Sequence, residues 1–246
     1  MSRRFRLGLA VALLLLATFP ALGAPRPARA ATGADWPIPG GHFFTQANGS
    51  GDPQTGYAVV DDAAAPFWTA FRRLGSVDTL GYPVSRRFVW DGFLVQAFQK
   101  VVFQWRPEVG QVYFVNVFDQ LSQAGQNAWL DSVRQTPPPF DTSPDSSLAW
   151  PDVVARHQAL LTQNPAIRAR YFGDSDALQH FGLPISTKDY GNVFVVRTQR
   201  AVFQQWQHDV PWAKAGQVVV ANGGDVAKEA GLYPADAVQP EVGPAP

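Results

Sequence analysis

Leu80-Gly81-Tyr82-Pro83-Val84-Ser85 returns along the chain as Phe181-Gly182-Leu183-Pro184-Ile185-Ser186, and in shorter form as Gly231-Leu232-Tyr233-Pro234. The three prolines stand 101 and then 50 residues apart, a period near 50 with one doubled interval. Self-similarity at a fixed spacing marks a fold assembled from one supersecondary unit. The flanks recur as well. Gln99-Lys100-Val101-Val102-Phe103-Gln104-Trp105 matches Gln199-Arg200-Ala201-Val202-Phe203-Gln204, with Trp206 close behind. At an offset of 106, Gly110-Gln111-Val112, Asn116, Asp119, Ala124 and Gly125 match Gly216-Gln217-Val218, Asn222, Asp225, Ala230 and Gly231. An earlier copy reads from His42-Phe43-Phe44 through Gly56-Tyr57-Ala58-Val59-Val60 to a helical Phe67-Trp68-x-x-Phe71-x-x-Leu74.

Each unit reads as strand, turn, strand, short helix, then a Gly–apolar–Pro corner. Alternation predicts the strands, with Phe93, Val95 and Ala97 on one side and Leu94, Gln96 and Phe98 on the other. Phe67, Phe71 and Leu74 follow helical spacing. Gly75, Gly125 and Gly231 sit where helices end and left-handed φ is wanted, and each proline then stops continuation. Gly81 and Gly182 allow the tight turn before it. The expected fold is α+β, a tandem of hairpin–short helix units. Unit 1 covers 41–85, unit 2 covers 86–186 with a helical insertion at 126–177, and unit 3 covers 187–234. Within the insertion, Ala128 to Arg134, Trp150 to Leu161 and Pro165 to Phe172 read as helices, with Ser147 or Asp145 as caps of the second. Residues 31–40 read as a linker, and the Pro/Ala/Gly-rich 235–246 as a disordered tail.

The charge is divided unevenly. The chain holds 20 Lys+Arg and 20 Asp+Glu, yet residues 1–30 carry five arginines (Arg3, Arg4, Arg6, Arg26 and Arg29) and no acid. The basic start is followed by an apolar run from Leu7 to Phe19, shorter than the roughly 20 residues of a membrane span. That pattern predicts a signal peptide over 1–30, cut after Ala28-Arg29-Ala30 or earlier near Ala24; the alternative is an uncleaved anchor. The expected location is therefore secreted or extracytoplasmic, with no stable membrane insertion after cleavage. What remains has 15 basic against 20 acidic residues, a balance that argues against nucleic acid or an anionic membrane as partner. With no cysteine, disulfides, thiol nucleophiles and cysteine-ligated metals are excluded.

The corner Leu80-Gly81-Tyr82-Pro83, the Gly before it, and an aromatic strand with Gln96, Phe98 and Trp105-x-Pro107-x-x-Gly110 resemble the LGFP repeat of exported bacterial cell-envelope proteins. The resemblance covers about residues 41–125 and 178–234. It departs at Lys100 and Arg200, near where the family has glycine, and at the shifted corner Leu232-Tyr233-Pro234. Family members often carry the repeats beside envelope enzymes such as mycolyltransferases and amidases. The resemblance implies a non-catalytic module associating with cell-wall polysaccharide.

Catalytic signatures are absent. His42, His157, His180 and His208 have no metal spacing, and no HExxH, GxSxG, P-loop or GxGxxG occurs. With Glu108, Glu229 and Glu241 the only glutamates, no glycosidase pair stands out. No metal or cofactor is expected. Asp119 and Asp225 read as helix-start carboxylates, placed to cap or to meet the dipole. Asn48-Gly49-Ser50 fits a glycosylation sequon, in a chain whose export signal looks bacterial. Aromatic rings are the usual platform for the apolar faces of sugars. Trp105 and Trp206 recur and read as packing, whereas Trp90 and Trp212 do not recur and read as ligand contacts, with Tyr82 and Tyr233 at the corners. Gly81, Pro83, Gly182, Pro184 and Pro234 read as structural corners. Three functions fit: an exported glycan-binding module, a secreted hydrolase with a site in the insertion or at His208, and a structural domain binding an envelope protein. Retention on wall polysaccharide, turnover abolished by His208→Ala, and pull-down from an envelope extract distinguish them.

Overall fold

A computed structural model describes residues 35–244; the expected signal peptide lies outside the described residues. The first strands are β1 (Trp36–Ile38), β2 (Gly41–Phe44) and β3 (Thr55–Val60), joined antiparallel. Helices α1 (Phe67–Arg73) and α2 (Ser76–Leu80) follow, divided by Gly75 at φ 98°. A meander comes next: β4 (Phe88–Trp90), β5 (Phe93–Ala97), β6 (Val102–Arg106) and β7 (Gln111–Phe114). Its first hairpin turns on Asp91-Gly92, both at positive φ, as a type I′ turn requires. Helices α3 (Val117–Gln123), α4 (Asn127–Arg134), α5 (Trp150–Gln158), α6 (Pro165–Phe172) and α7 (Ala177–Phe181) lead to a second meander. That meander is β8 (Pro184–Asp189), β9 (Val193–Thr198), β10 (Val202–Trp206) and β11 (Val218–Val220), followed by α8 (Gly223–Glu229). A last strand, β12 (Glu241–Val242), returns to pair with β3, so the first sheet has the order β1-β2-β3-β12.

The described chain is therefore mixed α and β, with three small antiparallel sheets of four strands rather than simple hairpins. The two meanders share one register. Phe103 pairs with Phe114 and Gln104 with Tyr113, while Phe203 pairs with Val220 and Gln204 with Val219. The corners agree in detail: Gly81 and Gly182 hold φ of 78° and 74°, and the side chains of Gln99 and Gln199 each accept the next backbone N–H at 3.0 Å. A Cβ on either glycine would lie within 3.0 Å of that glutamine's own Cβ, so both positions need glycine twice over.

Sheet faces explain the insertion. On one side of the first meander Phe103 and Phe114 pack under α1, with Phe67 edge-on to Phe103 at 5.9 Å. The same side of the second meander, at Val196 and Phe203, is covered by α6, whose Tyr171 meets Phe203 edge-on at 6.0 Å. The insertion thus gives the second meander the apolar cover that α1 gives the first. The opposite faces share a core with α3 and α8, built from Val95, Val102, Phe118, Leu121, Val195, Val202 and Val226. Buried Gln96 donates to Ala58 O at 2.9 Å and Ser85 O at 3.1 Å, tying the first sheet to the first meander.

Several expectations need correction. The tail is ordered through Pro244: Gly243 N donates to Gln54 O and Trp36 Nε1 to Pro244 O. Residues 36–38 are a strand, not linker, because Trp36 packs on Phe43 at 4.8 Å. The second meander starts at Pro184, inside the span read as unit 2. Helix α5 begins after Ala149 without a side-chain cap. Asp145 instead faces His157 Nε2 at 2.8 Å and Arg156, and its carboxyl is held below the usual range, first by that histidine contact. His157 Nδ1 in turn donates to Pro184 O at 2.6 Å, which fastens the insertion to a corner. Asn48 is buried, its amide donating to Asp52 O and Thr55 O, so the sequon asparagine is used internally.

Candidate functional site

One residue decides the site. Trp105 and Trp206 look like copies, but the register places Trp206 opposite Val193 and leaves Arg106 at the matching place in the first meander. The extra Gln205 shifts the ring by one position, and in a strand one position changes the face. Trp105 therefore packs toward α1, whereas Trp206 packs toward the core shared with α8 and lines a groove of about 710 Å³.

The groove is built from β10, β11 and the loop between them, with α3, α4 and α8. β10 contributes Gln204 and Trp206, and β11 contributes Val219 and Val220, with Asn222 and Asp225 at the start of α8. The end of α4 contributes Val133, Arg134 and Gln135. Gln135 ends that helix in the left-handed region, at φ 46°, and exchanges amide hydrogen bonds with Asn192 at 2.9 and 3.3 Å. Arg134 is paired with Glu229. The loop 207–217 is fixed by Asp209, which accepts from Ala215 N at 2.9 Å and meets Lys214 Nζ at 2.8 Å. It presents Trp212, 63% exposed, edge-on to Trp206 at 5.5 Å and 81°. The Trp206 indole N–H is buried and meets no acceptor among the described residues. An unpaired buried donor costs about 1–3 kcal/mol.

Asp225 is the carboxylate of the groove. It accepts from Asn222 Nδ2 at 3.0 Å, not from the α8 backbone as a cap would. Burial raises its pKa, and the Asn222 hydrogen bond with the Lys228 and Arg134 charges only partly offsets that. Its counterpart Asp119 is also raised by burial and accepts from Gln199 Nε2 at 3.0 Å. Neither residue caps its helix, but both stand in the first helical turn, the placement near the dipole that was the other expectation. A carboxyl whose folded pKa is raised holds its proton more tightly when folded. Stability therefore falls as pH rises from the ordinary carboxylate range through the raised value, and stays lower above it. Asp225→Asn keeps the acceptor and removes the buried charge. Its melting temperature is expected to exceed that of the parent at pH 7 and to converge with it near pH 3; an equal difference at both pH values contradicts this.

Of the residues singled out from the sequence, Trp212 stands in the groove. Trp90 does not: it is half-buried, stacked on Phe88 at 6.2 Å and edge-on to Tyr233 at 5.9 Å. Tyr233 is buried, with its hydroxyl donating to Gly224 O at 3.2 Å, and offers no ring face to a ligand. Tyr82 is half-buried against Phe44 in the core under the first sheet. The four are not brought together. His208 is exposed in the groove loop. Among the described residues no group of three His, Asp or Glu could hold a metal, and no helix is long and apolar enough to cross a membrane. Trp206, Gln204, Asn222 and Asp225 were legible only as recurrent residues; the doubled Gln204-Gln205 was the signal that Trp206 had changed face. No protein-family model, curated protein or solved structure matches this chain.

Proposed function

We propose that the chain is an exported, non-catalytic cell-envelope module, assembled from tandem sheet–helix units of LGFP type, that binds wall polysaccharide in the groove of Trp206 and Trp212. The observation that carries the reading is this aromatic pair in a groove whose walls combine apolar side chains of α4 and β11 with the amides of Gln135, Gln204 and Asn222, the Arg134 guanidinium and the Asp225 carboxylate. An exposed, rigid ring with hydrogen-bonding side chains beside it suits a pyranose, which offers an apolar face and a rim of hydroxyls. Arg134 is already neutralised by Glu229, so the groove favours a polar ligand over a strongly anionic one. The common register of the two meanders supports descent from one repeated unit, and the arginine-rich, acid-free first 30 residues support export.

The test is co-sedimentation of the chain lacking residues 1–30 with insoluble peptidoglycan and its attached polysaccharide. The parent is expected in the pellet. Trp212→Ala removes an exposed ring without disturbing the core and is expected to weaken retention about 10- to 30-fold, the size of a hot-spot aromatic. Absence of the parent from the pellet, or equal retention of both proteins, contradicts the reading.

A further inference from the structure

The matching register has a second product. At the place in the first meander that corresponds to the Trp206 groove lies another groove, about 420 Å³, lined by Phe93, Gln104, Arg106, Tyr113, Asn116 and Gln120. Gln104 corresponds to Gln204, Tyr113 to Val219, Asn116 to Asn222 and Gln120 to Val226. Tyr113 and Arg200 also line an adjoining hollow of about 340 Å³ that ends on Trp150 and Leu183. The two hollows share Tyr113 and Arg200 as walls and are taken together as a trough. Trp150, at the start of α5, is 59% exposed, and its ring is supplied by the insertion.

The side chains of the trough are ordered by one another. The Arg106 guanidinium lies 3.9 Å over the Phe93 ring, donates to Gln104 Oε1 at 3.0 Å and faces Glu108 at 3.5 Å. Arg200 donates to Asn116 Oδ1 at 2.7 Å and to the carbonyls of Leu178 and Gln179 in α7. Gln120 Nε2 reaches Asp91 Oδ2 at 3.5 Å. Each cation in the trough already has an acceptor, and with Asp176 beside Asp91 and Glu108 the carboxylates outnumber the guanidiniums by three to two. No free cation is left to select an anion. What is offered is a stacking ring at Trp150, a phenol at Tyr113 and a row of amides, the chemistry that recognises an uncharged, hydroxyl-rich chain.

The geometry points to this trough as a second polysaccharide site, taking a neutral oligosaccharide segment, so that one protein molecule holds two glycan segments at once. The inference rests on the glycan reading of the Trp206 groove. Two sites on one rigid scaffold make the second contact with an insoluble wall intramolecular, which raises retention well above that of either site alone.

The experiment is isothermal titration of the chain lacking residues 1–30 with the neutral oligosaccharide fraction released from the same wall material. Parent, Trp150→Ala, Tyr113→Phe with Trp150→Ala, and Trp212→Ala proteins are compared, and circular dichroism melts check each fold. The expected result is two sites per molecule in the parent and one in each variant, with at least 10-fold weaker retention on the insoluble wall. A parent with a single site, lost in Trp212→Ala and unchanged in Trp150→Ala, overturns the second site while leaving the Trp206 groove intact. A parent that binds no oligosaccharide and is not retained on the wall overturns both.

Discussion

Gly224→Ala is expected to destabilise the protein by about 3 kcal/mol, lowering the melting temperature by about 6–12 °C. Helix propensity alone predicts the opposite sign, because alanine is favoured over glycine inside a helix by about 1 kcal/mol. The close approach decides. Gly224 lies in the first turn of α8, which is pressed end-on against the turn after β5, and Asp225 N donates to Gln99 O at 3.0 Å. A Cβ at 224 would lie 1.8 Å from Phe98 O and 2.9 Å from Phe98 C, backbone atoms that no rotamer change can move. The helix must retreat, and with it go the Gln99 contact and the Tyr233 hydroxyl bond to Gly224 O. Gly125→Ala is the control: φ is +74° but nothing lies within 4 Å of the added carbon, so the cost is the left-handed backbone alone, about 1–2 kcal/mol. Thermal melts of both variants measure the difference. A Gly224→Ala protein as stable as the parent contradicts the packing of α8 described here.

Arg197→Met is expected to cost a similar amount and to act on the insertion. Arg197 is fully buried on β9, where the first meander has Ala97. Its guanidinium donates to Asn127 Oδ1 at 3.0 Å, Pro137 O at 3.1 Å, Ser122 Oγ at 2.6 Å and Phe118 O. These acceptors belong to α3, to the start of α4 and to the proline segment after it, so one side chain fastens the insertion to the second meander. Burial pushes its pKa down to about 10, which leaves it charged at neutral pH. The magnitude is bounded from both sides. Removing a buried cation relieves desolvation, and the acceptors keep neutral partners, with Ser122 Oγ on Phe118 O and Ser186 Oγ on Pro137 O, each at 3.2 Å. Against that stand four hydrogen bonds to a charged group at about 1.5–3 kcal/mol each before compensation. A net loss of about 3 kcal/mol follows. Arg197→Lys should recover only part of it, since an ammonium cannot reach across four acceptors as a planar fork does. Amide hydrogen exchange should rise first in α4 and at Gln135 and Thr136. Uniform acceleration over the whole chain, or none, contradicts the fastening role.

The corners and the helices that end before them were readable because they rest on local backbone chemistry. Gly75, Gly81, Gly125, Gly182 and Gly231 all take the positive φ that their spacing implied. The sheets were only half readable. Alternation identified single strands, and the two meanders pair only sequence neighbours, but the first sheet is completed across a long separation, with β12 meeting β3 across almost the whole described chain. Composition made residues 235–246 look like a free tail because Pro and Gly are frequent there, yet the backbone of Val242 and Gly243 completes a sheet edge. Trp212, singled out from the sequence, does line the candidate groove. Recurrence marked Trp206 as packing, and it does pack on the core shared with α8; what recurrence did not show is the face it packs on, which depends on register and which one inserted glutamine changed. Tyr233 and Trp90 failed for another reason. An aromatic at a corner is equally a core residue when a neighbouring helix covers it, and α8 does so for Tyr233.

The most direct test of the account is a titration of the protein with wall oligosaccharide, followed by the indole N–H resonances in ¹H–¹⁵N spectra. The Trp206 indole donor, unpaired among the described residues, and the exposed Trp212 ring are expected to give the largest saturable shifts in the region of β10 and the 207–217 loop, and the shift at Trp206 should need about 10- to 30-fold more ligand in Trp212→Ala. Binding that leaves the Trp206 and Trp212 indole resonances in place contradicts the groove as the site.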